Sequence, residues 1–396
     1  KPQIRSTYLI SKVLPPPKMS AFVSTLPAST FVAKSSTTSV FFRPAVVPAA
    51  PARLPAGAAV RMTAAAPATA VGTPSIATKP TVIITGASSS IGLNATKFLT
   101  QDGYHVIMAV RDPAKAEREA RRVGAKEENI SILKVDLSTM SSVRQFVKDF
   151  KALNRPLDAL VLNAAIWHPK DRAPRFTEEG LEETVATNHL GHFLMANLLL
   201  EDLRRSTIKR RSPARLIFIG TDTHNPNSIA GKIPPLANLG DLSGLSQGLG
   251  ENTTGMIDNK AFESTKAYKD SKACNVLTMR AFHDKYGKTG QICVSALFPG
   301  CVAESGLFRE KAGWFRNIFP AFQKNITKQY VSEEEAGRRV MAVVSDGRFT
   351  DSGSYFKWKG QTAAANPYVY SVSDEAMDIG KVEALWEQSK SIVGIP

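Results

Sequence analysis

The chain reads as an α/β protein on a doubly wound, Rossmann-like parallel sheet of about seven strands, with a long insertion and a helical lid. Three observations predict it. From Lys79 onward, short β-branched runs alternate with longer stretches of helical period, the pattern of strand–crossover–strand units with right-handed connections. Runs such as Leu160-Val-Leu162 and Leu216-Ile-Phe-Ile219 are apolar throughout, as a sheet covered on both faces requires. A Gly/Ser-rich turn, Thr85–Gly92, joins the first strand to the first helix.

Taken in order, strands are predicted at Thr81–Thr85, Tyr104–Val110, Ile130–Val135, Leu157–Asn163, Ala214–Gly220 and Gln291–Phe298, with a seventh at Ser354–Trp358. Helical periodicity marks Ile91–Asp102, Ser141–Leu153, Leu181–Arg204, Lys266–Tyr286 and Ser332–Ser345. Neither an internal repeat nor a second apolar core is visible, so residues 79–396 are expected to form one domain. Two stretches break the rhythm. His224–Ser264 runs through Pro, Gly, Asn and Leu without a period, and a loop of that length in a compact domain is usually functional or disordered. Ala303–Tyr330, the expected lid, carries Leu307, Phe308, Trp314, Phe315, Phe319 and Phe322.

Residues 1–78 are rich in Ala, Ser, Thr, Pro and Val, and the first acidic residue of the chain is Asp102. Prolines interrupt every apolar run, so this segment cannot bury enough surface to offset the entropy of ordering it. A basic, acid-free, Ser/Ala-rich leader is the composition of an organelle transit peptide; an ordinary disordered tail is the alternative. Met19 is read as the start, the uncharged stretch between Lys18 and Lys34 as a signal-like core, and Arg61-Met62 as a processing site.

Eight basic residues of the leader account for part of the formal charge of +15, leaving +7 for the rest. That balance suits anionic cofactors and anionic lipid surfaces. The basic residues are dispersed rather than striped with aromatics, which argues against nucleic-acid binding. Cys274, Cys293 and Cys301 lack metal-site or paired spacing, so a reducing compartment is expected, with no disulfide framework and no metal.

In Thr85-Gly86-Ala-Ser88-Ser89-Ser90-Ile91-Gly92 the glycines let backbone approach a pyrophosphate, and the following helix N-terminus stabilises its charge. The spacing resembles the TGxxxGxG of short-chain dehydrogenases, except that Ser90 fills the middle glycine position, at a backbone cost if φ must be positive there. The second strand ends in Val110-Arg111-Asp112. An acid at that point would bind a ribose 2′-hydroxyl, whereas Arg111, assisted by Lys115, suits a 2′-phosphate and hence NADPH. Asp136-Leu137 closes the third strand, where adenine is expected. Asn163-Ala164-Ala165 closes the fourth, and Pro299-Gly300 follows the sixth beside the nicotinamide.

Tyr268 and Lys272 stand four residues apart, so on a helix they share a face. A neighbouring ammonium favours the phenolate and is expected to lower the phenol pKa from about 10, making Tyr268 a usable proton donor. Thr221, with Thr223 in reserve, occupies the place of the serine that hydrogen-bonds the reacting group. Asn188 matches the asparagine that links the lysine to water. His189 and His192, at i and i+3 with no third ligand, are read as structural.

Three longer segments resemble the light-dependent protochlorophyllide reductases: AYKDSKACNVLTM around Tyr268, LFPGCVAESGLFR with Cys301 after Pro299-Gly300, and FPAFQKNITKQYVSEEEAG together with GKIPPLANLGDLSGL. The resemblance covers residues 79–396. Departures are Ser90, Trp167 after Asn-Ala-Ala-Ile, and Tyr355-Phe-Lys-Trp358. It implies a plastid enzyme, stromal or peripheral on thylakoid or envelope membrane lipids, that reduces the C17–C18 double bond of protochlorophyllide after the pigment absorbs light. It further implies that Tyr268 is the proton donor, with Cys301 or an ordered water as rivals, that Cys301 lies beside the pigment, and that protomers self-associate. Thr221 and Tyr268 are 47 positions apart, and the intervening insertion is expected to wall a tetrapyrrole pocket. The alternatives are a dark NADPH-dependent carbonyl or retinoid reductase and a non-catalytic pigment-binding scaffold.

Overall fold

A computed structural model describes residues 79–302, 330–360, 362 and 367–396 of the chain. The strands are β1 Thr81–Thr85, β2 His105–Val110, β3 Ile130–Lys134, β4 Ala159–Leu162, β5 Arg215–Ile219, β6 Cys293–Leu297, β7 Ser354–Trp358 and β8 Pro367–Val369. They form one sheet in the order β3-β2-β1-β4-β5-β6-β7-β8. β1 to β7 pair in parallel, whereas β8 runs antiparallel on β7. The order reverses between β1 and β4, which opens a crevice at the carboxyl ends of those strands.

The helices are α1 Ser90–Gln101, α2 Pro113–Val123, α3 Met140–Ala152, α4 Glu183–Val185, α5 Gly191–Arg210, α6 Ser243–Ser246, α7 Ser264–Phe282, α8 Glu333–Ser345, α9 Asp374–Met377 and α10 Ile379–Val393. Successive strand side chains point to opposite faces, and here both faces are covered. Ile83, Ile107, Leu160, Leu162, Leu216 and Phe218 pack with residues of α3, α5, α7 and α10. Val82, Ile84, Val106, Met108, Val161 and Ile217 pack with α1, α2 and α8 on the other side. The aromatic anchor Phe218 is 1% exposed, so truncating it to Ala is expected to cost about 3–5 kcal/mol.

Capping explains several helix starts. Asp112 Oδ1 accepts from the Lys115 N–H at 2.9 Å, and Ser332 Oγ accepts from the Glu335 N–H at 3.1 Å. The Glu263 carboxylate accepts from the first-turn N–H groups of Thr265 and Lys266, fixing the entry to α7.

The seven expected strands are present, and the three-residue β8, which carries no alternating pattern, adds an antiparallel edge to them. Two expected helices need correction. The single helix predicted over Leu181–Arg204 is broken into α4, a π-turn over Ala186–Leu190, and α5. Gly191, at the start of α5, lies against the turn beyond β3, where an added Cβ would collide with Leu137 O. Likewise the helix predicted to Tyr286 ends at Phe282 and passes into a π-turn over His283–Gly287.

The insertion is folded onto the main core. Leu239, Leu242, Leu245, Leu249 and Ile257 are buried in the main core, so these side chains do not present an apolar face to a ligand. Lys269 Nζ donates to Ile233 O at 2.6 Å and Pro235 O at 2.7 Å. Lys266 Nζ donates to Asn238 O at 2.7 Å and pairs with the buried Asp258 at 3.0 Å. The insertion is thereby strapped to the first turns of α7. The expected leader lies outside the described residues, as does the lid apart from Tyr330.

Candidate active site

The crevice begins at the end of β1. Gly86 has φ of +67°, and an added Cβ would stand 3.0 Å from Ala164 Cα, while one at Gly92 would meet Gly86 O at 2.7 Å. The first glycine makes the tight turn and the second lets α1 close on the strand ends, the two conditions for a pyrophosphate-binding turn. Ser90 adopts φ of +47°, the left-handed region that costs an L-residue energy. Its Oγ is shielded from solvent and has no hydrogen-bond partner among the described residues. Ser88 and Ile91 are half-buried and Ser89 is exposed. The residues present therefore fit a dinucleotide phosphate, with one strained position.

Thr85 ties the strand ends together. Its Oγ1 accepts from the N–H of Asn163 at 2.8 Å and of Ala164 at 3.0 Å, and lies 2.9 Å from His192 Nε2. Asn163 Nδ2 donates to Thr85 O at 2.8 Å. Ala165 is half-buried beyond them. Arg111 and Lys115 are exposed at the end of β2. Asp136 accepts from Ser138 N–H at 2.9 Å and from Ser138 Oγ at 2.7 Å, and Leu137 is buried beside it.

Across the crevice, Tyr268 and Lys272 are both buried on α7. Lys272 Nζ donates to Ile219 O at 3.2 Å, which aims it at the end of β5. Burial lowers its pKa to about 8. The expectation that it draws the Tyr268 pKa down is not met by the polypeptide itself. Burial pushes the phenol above its ordinary value, and negative charge on nearby Cys301 adds to the rise. Desolvation disfavours phenolate and ammonium alike, so a one-turn spacing is not sufficient for the tuning.

Thr221 caps a short 3-10 turn, Asp222–His224, its Oγ1 3.3 Å from Thr223 Oγ1. Asn188 lies in the π-turn. Its Oδ1 accepts from the Ile166 N–H at 2.8 Å, and its Nδ2 donates to Ile166 O and to Ser271 Oγ, each at 3.0 Å. In the polypeptide its side chain links the Ile166 backbone to α7. His189 bonds Ser389 Oγ at 2.9 Å, and burial lowers its pKa to about 4 and that of His192 to about 3. Both act as neutral packing groups.

Cys301 follows the turn Pro299-Gly300, where Gly300 has φ of +109°. It forms a parallel bridge with Tyr330, and the Val331 N–H donates to Cys301 O at 3.1 Å. Arg339, missed in the sequence, holds this turn. It is 2% exposed and donates to Pro299 O at 3.0 Å, to Gly360 O at 2.9 Å and to Glu335 at 3.0 Å. Also unforeseen is the buried pair of Lys357 and Asp222, 2.7 Å apart, beside Thr221. Lys357 lies in an expected strand and Asp222 in a turn, and neither position carries a pattern that pairs them.

Residues 80–230 match the short chain dehydrogenase family. The chain is 49% identical over 319 residues to the chloroplastic protochlorophyllide reductase of Daucus carota, covering 80% of this chain and 79% of that one. It is 49% identical over 323 residues to the chloroplastic protochlorophyllide reductase of Chlamydomonas reinhardtii, covering 81% and 80%. Among solved structures, an uncharacterized protein from Mycobacterium paratuberculosis aligns with a TM-score of 0.56 at 24% identity over 80% of this chain and 94% of that one. That likeness is one of fold.

Proposed function

The chain belongs to the protochlorophyllide reductase family, a branch of the short-chain dehydrogenases, and on that premise we propose that it reduces protochlorophyllide to chlorophyllide with NADPH, in light, inside the plastid. It is an oxidoreductase using a nicotinamide cofactor. The observation that carries the reading is the buried Tyr268 and Lys272 on one face of α7, with the Cys301 turn close enough for charge on its sulfur to raise the Tyr268 pKa. Residues 1–78 serve as a plastid leader and residues 79–396 as the catalytic domain, stromal or held peripherally on membrane lipid, with self-association of protomers.

Ser88, Ser89, Ser90, Ile91 and Gly92 would hold the pyrophosphate at the start of α1, Arg111 and Lys115 the 2′-phosphate, and Asp136 and Leu137 the adenine. Asn163, Ala164, Ala165, Pro299 and Gly300 would line the nicotinamide end. Bound there, NADPH supplies hydride equivalents for C17 of the pigment. Tyr268 keeps its proton at neutral pH because burial disfavours phenolate, which is the state a donor to C18 needs. Lys272 below its pKa of about 8 offers a cation toward the strand ends and would stabilise the phenolate as the proton leaves. Thr221 orients the reacting edge of the substrate. Cys301 packs beside the pigment on a turn fixed by Arg339.

The test mixes protein, NADPH and protochlorophyllide in darkness, then illuminates and follows absorption. Product formed only in light supports the proposal. Dark turnover of carbonyl substrates would favour a small-substrate reductase, and pigment binding without turnover a scaffold. A Tyr268→Phe variant converting pigment at the parent rate would remove Tyr268 from the role of donor.

A further inference from the structure

Tyr268 is held by a closed circuit of contacts that the proposed chemistry does not use. The Trp167 ring stacks on the Tyr268 ring, centroids 5.4 Å apart and planes 29° apart. The residue before it, Ile166, is clipped at both its N–H and its carbonyl to the Asn188 side chain, at 2.8 and 3.0 Å. The same amide donates its other hydrogen to Ser271 Oγ at 3.0 Å. Ser271 in turn donates to Tyr268 O at 2.7 Å, which returns the circuit to its start. Asn188 is 0% exposed, Ser271 0% and Tyr268 9%, so water does not compete for these bonds.

We propose that Trp167 is the positioning residue that sets the ring plane of Tyr268, with Asn188 and Ser271 fixing the indole and the phenol to one frame. Only the light-driven turnover of the Trp167 variants depends on the proposed reductase reading. Trp167 sits in an irregular segment, residues 163–175, between β4 and α4. Its backbone there belongs to no strand or helix, and the Asn188 clip on its neighbour is the buried side-chain contact that joins this stretch to α7. The circuit also explains why Asn188 lies in a π-turn. Such a bulge re-aims a helical side chain, and here it lets a single amide reach backbone on one side and α7 on the other.

An indole covering the phenol has two effects. It excludes water from one ring face, which contributes to the burial that holds the phenol protonated. It also removes the freedom of the ring to turn about χ1 and χ2, and loss of donor alignment by about 1 Å can cost a hundredfold in rate. Trp167 is thus assigned to the proton donor and not to the hydride path.

The experiment compares Trp167→Ala and Trp167→Phe with the parent in the full chain. First, the phenol is titrated by ultraviolet difference absorption, with Tyr268→Phe identifying its component. In Trp167→Ala that component is expected to move down toward the ordinary value of about 10, and in Trp167→Phe to stay near the parent. This readout needs no substrate and stands even if the reductase reading fails. Second, the light-driven single-turnover rate of Trp167→Ala is expected to fall about ten- to a hundredfold, with NADPH affinity unchanged and rate recovered in Trp167→Phe. A raised pigment KM with an unchanged rate would make Trp167 a pocket wall and overturn the proposal. So would a titration and a rate both equal to the parent's. A Trp167→Ala protein that unfolds leaves Trp167→Phe and Ser271→Ala to decide: Ser271→Ala must slow turnover with the fold intact, and an unchanged rate there refutes the circuit.

Discussion

Replacing Ser90 by glycine should stabilise the protein, and the size of the effect can be worked from two local terms. At φ of +47° an L-residue carries about 1–2 kcal/mol of strain that glycine does not. Against it stands the greater freedom of glycine in the unfolded chain, about 0.4–1 kcal/mol. The Ser90 hydroxyl adds a second term, because Oγ is shielded and unpartnered among the described residues; such a group costs about 1–3 kcal/mol to bury. Ser90→Ala removes only the hydroxyl and keeps the strained backbone, whereas Ser90→Gly removes both. The expected order of stability is parent, then Ser90→Ala, then Ser90→Gly, with the glycine variant ahead of the parent by about 2 kcal/mol. Urea unfolding monitored by tryptophan fluorescence reads the midpoints at constant slope. NADPH affinity moves the other way if the hydroxyl meets the pyrophosphate: both variants should bind about tenfold more weakly, the worth of one charge-assisted hydrogen bond. A glycine variant no more stable than Ser90→Ala would refute the strain argument, and unchanged affinity in both would remove the hydroxyl from the phosphate site.

Arg111→Glu should weaken NADPH binding about ten- to a hundredfold and leave NADH binding little changed, measured by nicotinamide fluorescence; equal losses for both cofactors would count against a 2′-phosphate contact. Lys272, with a pKa of about 8 in the fold and near 10.4 unfolded, predicts opposite trends in alkali. Above pH 8 the native lysine is neutral while the unfolded one still binds a proton, so stability rises by about 3 kcal/mol up to roughly pH 10.5. Activity falls over the same window, and Lys272→Arg should move that limb of kcat/KM upward. A limb that stays in place assigns it to another group. Lys357→Met leaves Asp222 as a buried charge without its ion pair and should cost about 3–5 kcal/mol in urea unfolding, with most of it recovered in the double variant Asp222→Asn, Lys357→Met; additive losses would show that the two residues are not coupled.

How far the sequence reached depends on whether a residue acts locally or through the fold. The parallel strands were visible because both sheet faces are covered, which leaves runs such as Leu216–Ile219 wholly apolar. β1 and β7 fall at their predicted bounds for that reason. The glycine turn and the Tyr268/Lys272 spacing are likewise local, and the strain at Ser90 follows from a glycine position filled by another residue. Hidden were the contacts that join distant segments. Arg339 grips Pro299 O from α8, Lys357 meets Asp222 from β7, and Asn188 reaches both Ile166 and Ser271. Each is an ordinary polar residue within its own element. The packing of the insertion was hidden for the same reason, since leucines at Leu239, Leu242, Leu245 and Leu249 have no period when short turns separate them. The effect of burial on Tyr268 was hidden as well, because spacing conveys proximity but not desolvation.

The parallel bridge between Cys301 and Tyr330 stitches the turn beyond β6 to the stretch that leads into α8, outside the strands of the sheet. With the Val331 N–H on Cys301 O and the Arg339 guanidinium on Pro299 O, the backbone that carries the thiol and the entry to α8 form one piece, so a substitution at the start of that helix would be felt at the sulfur.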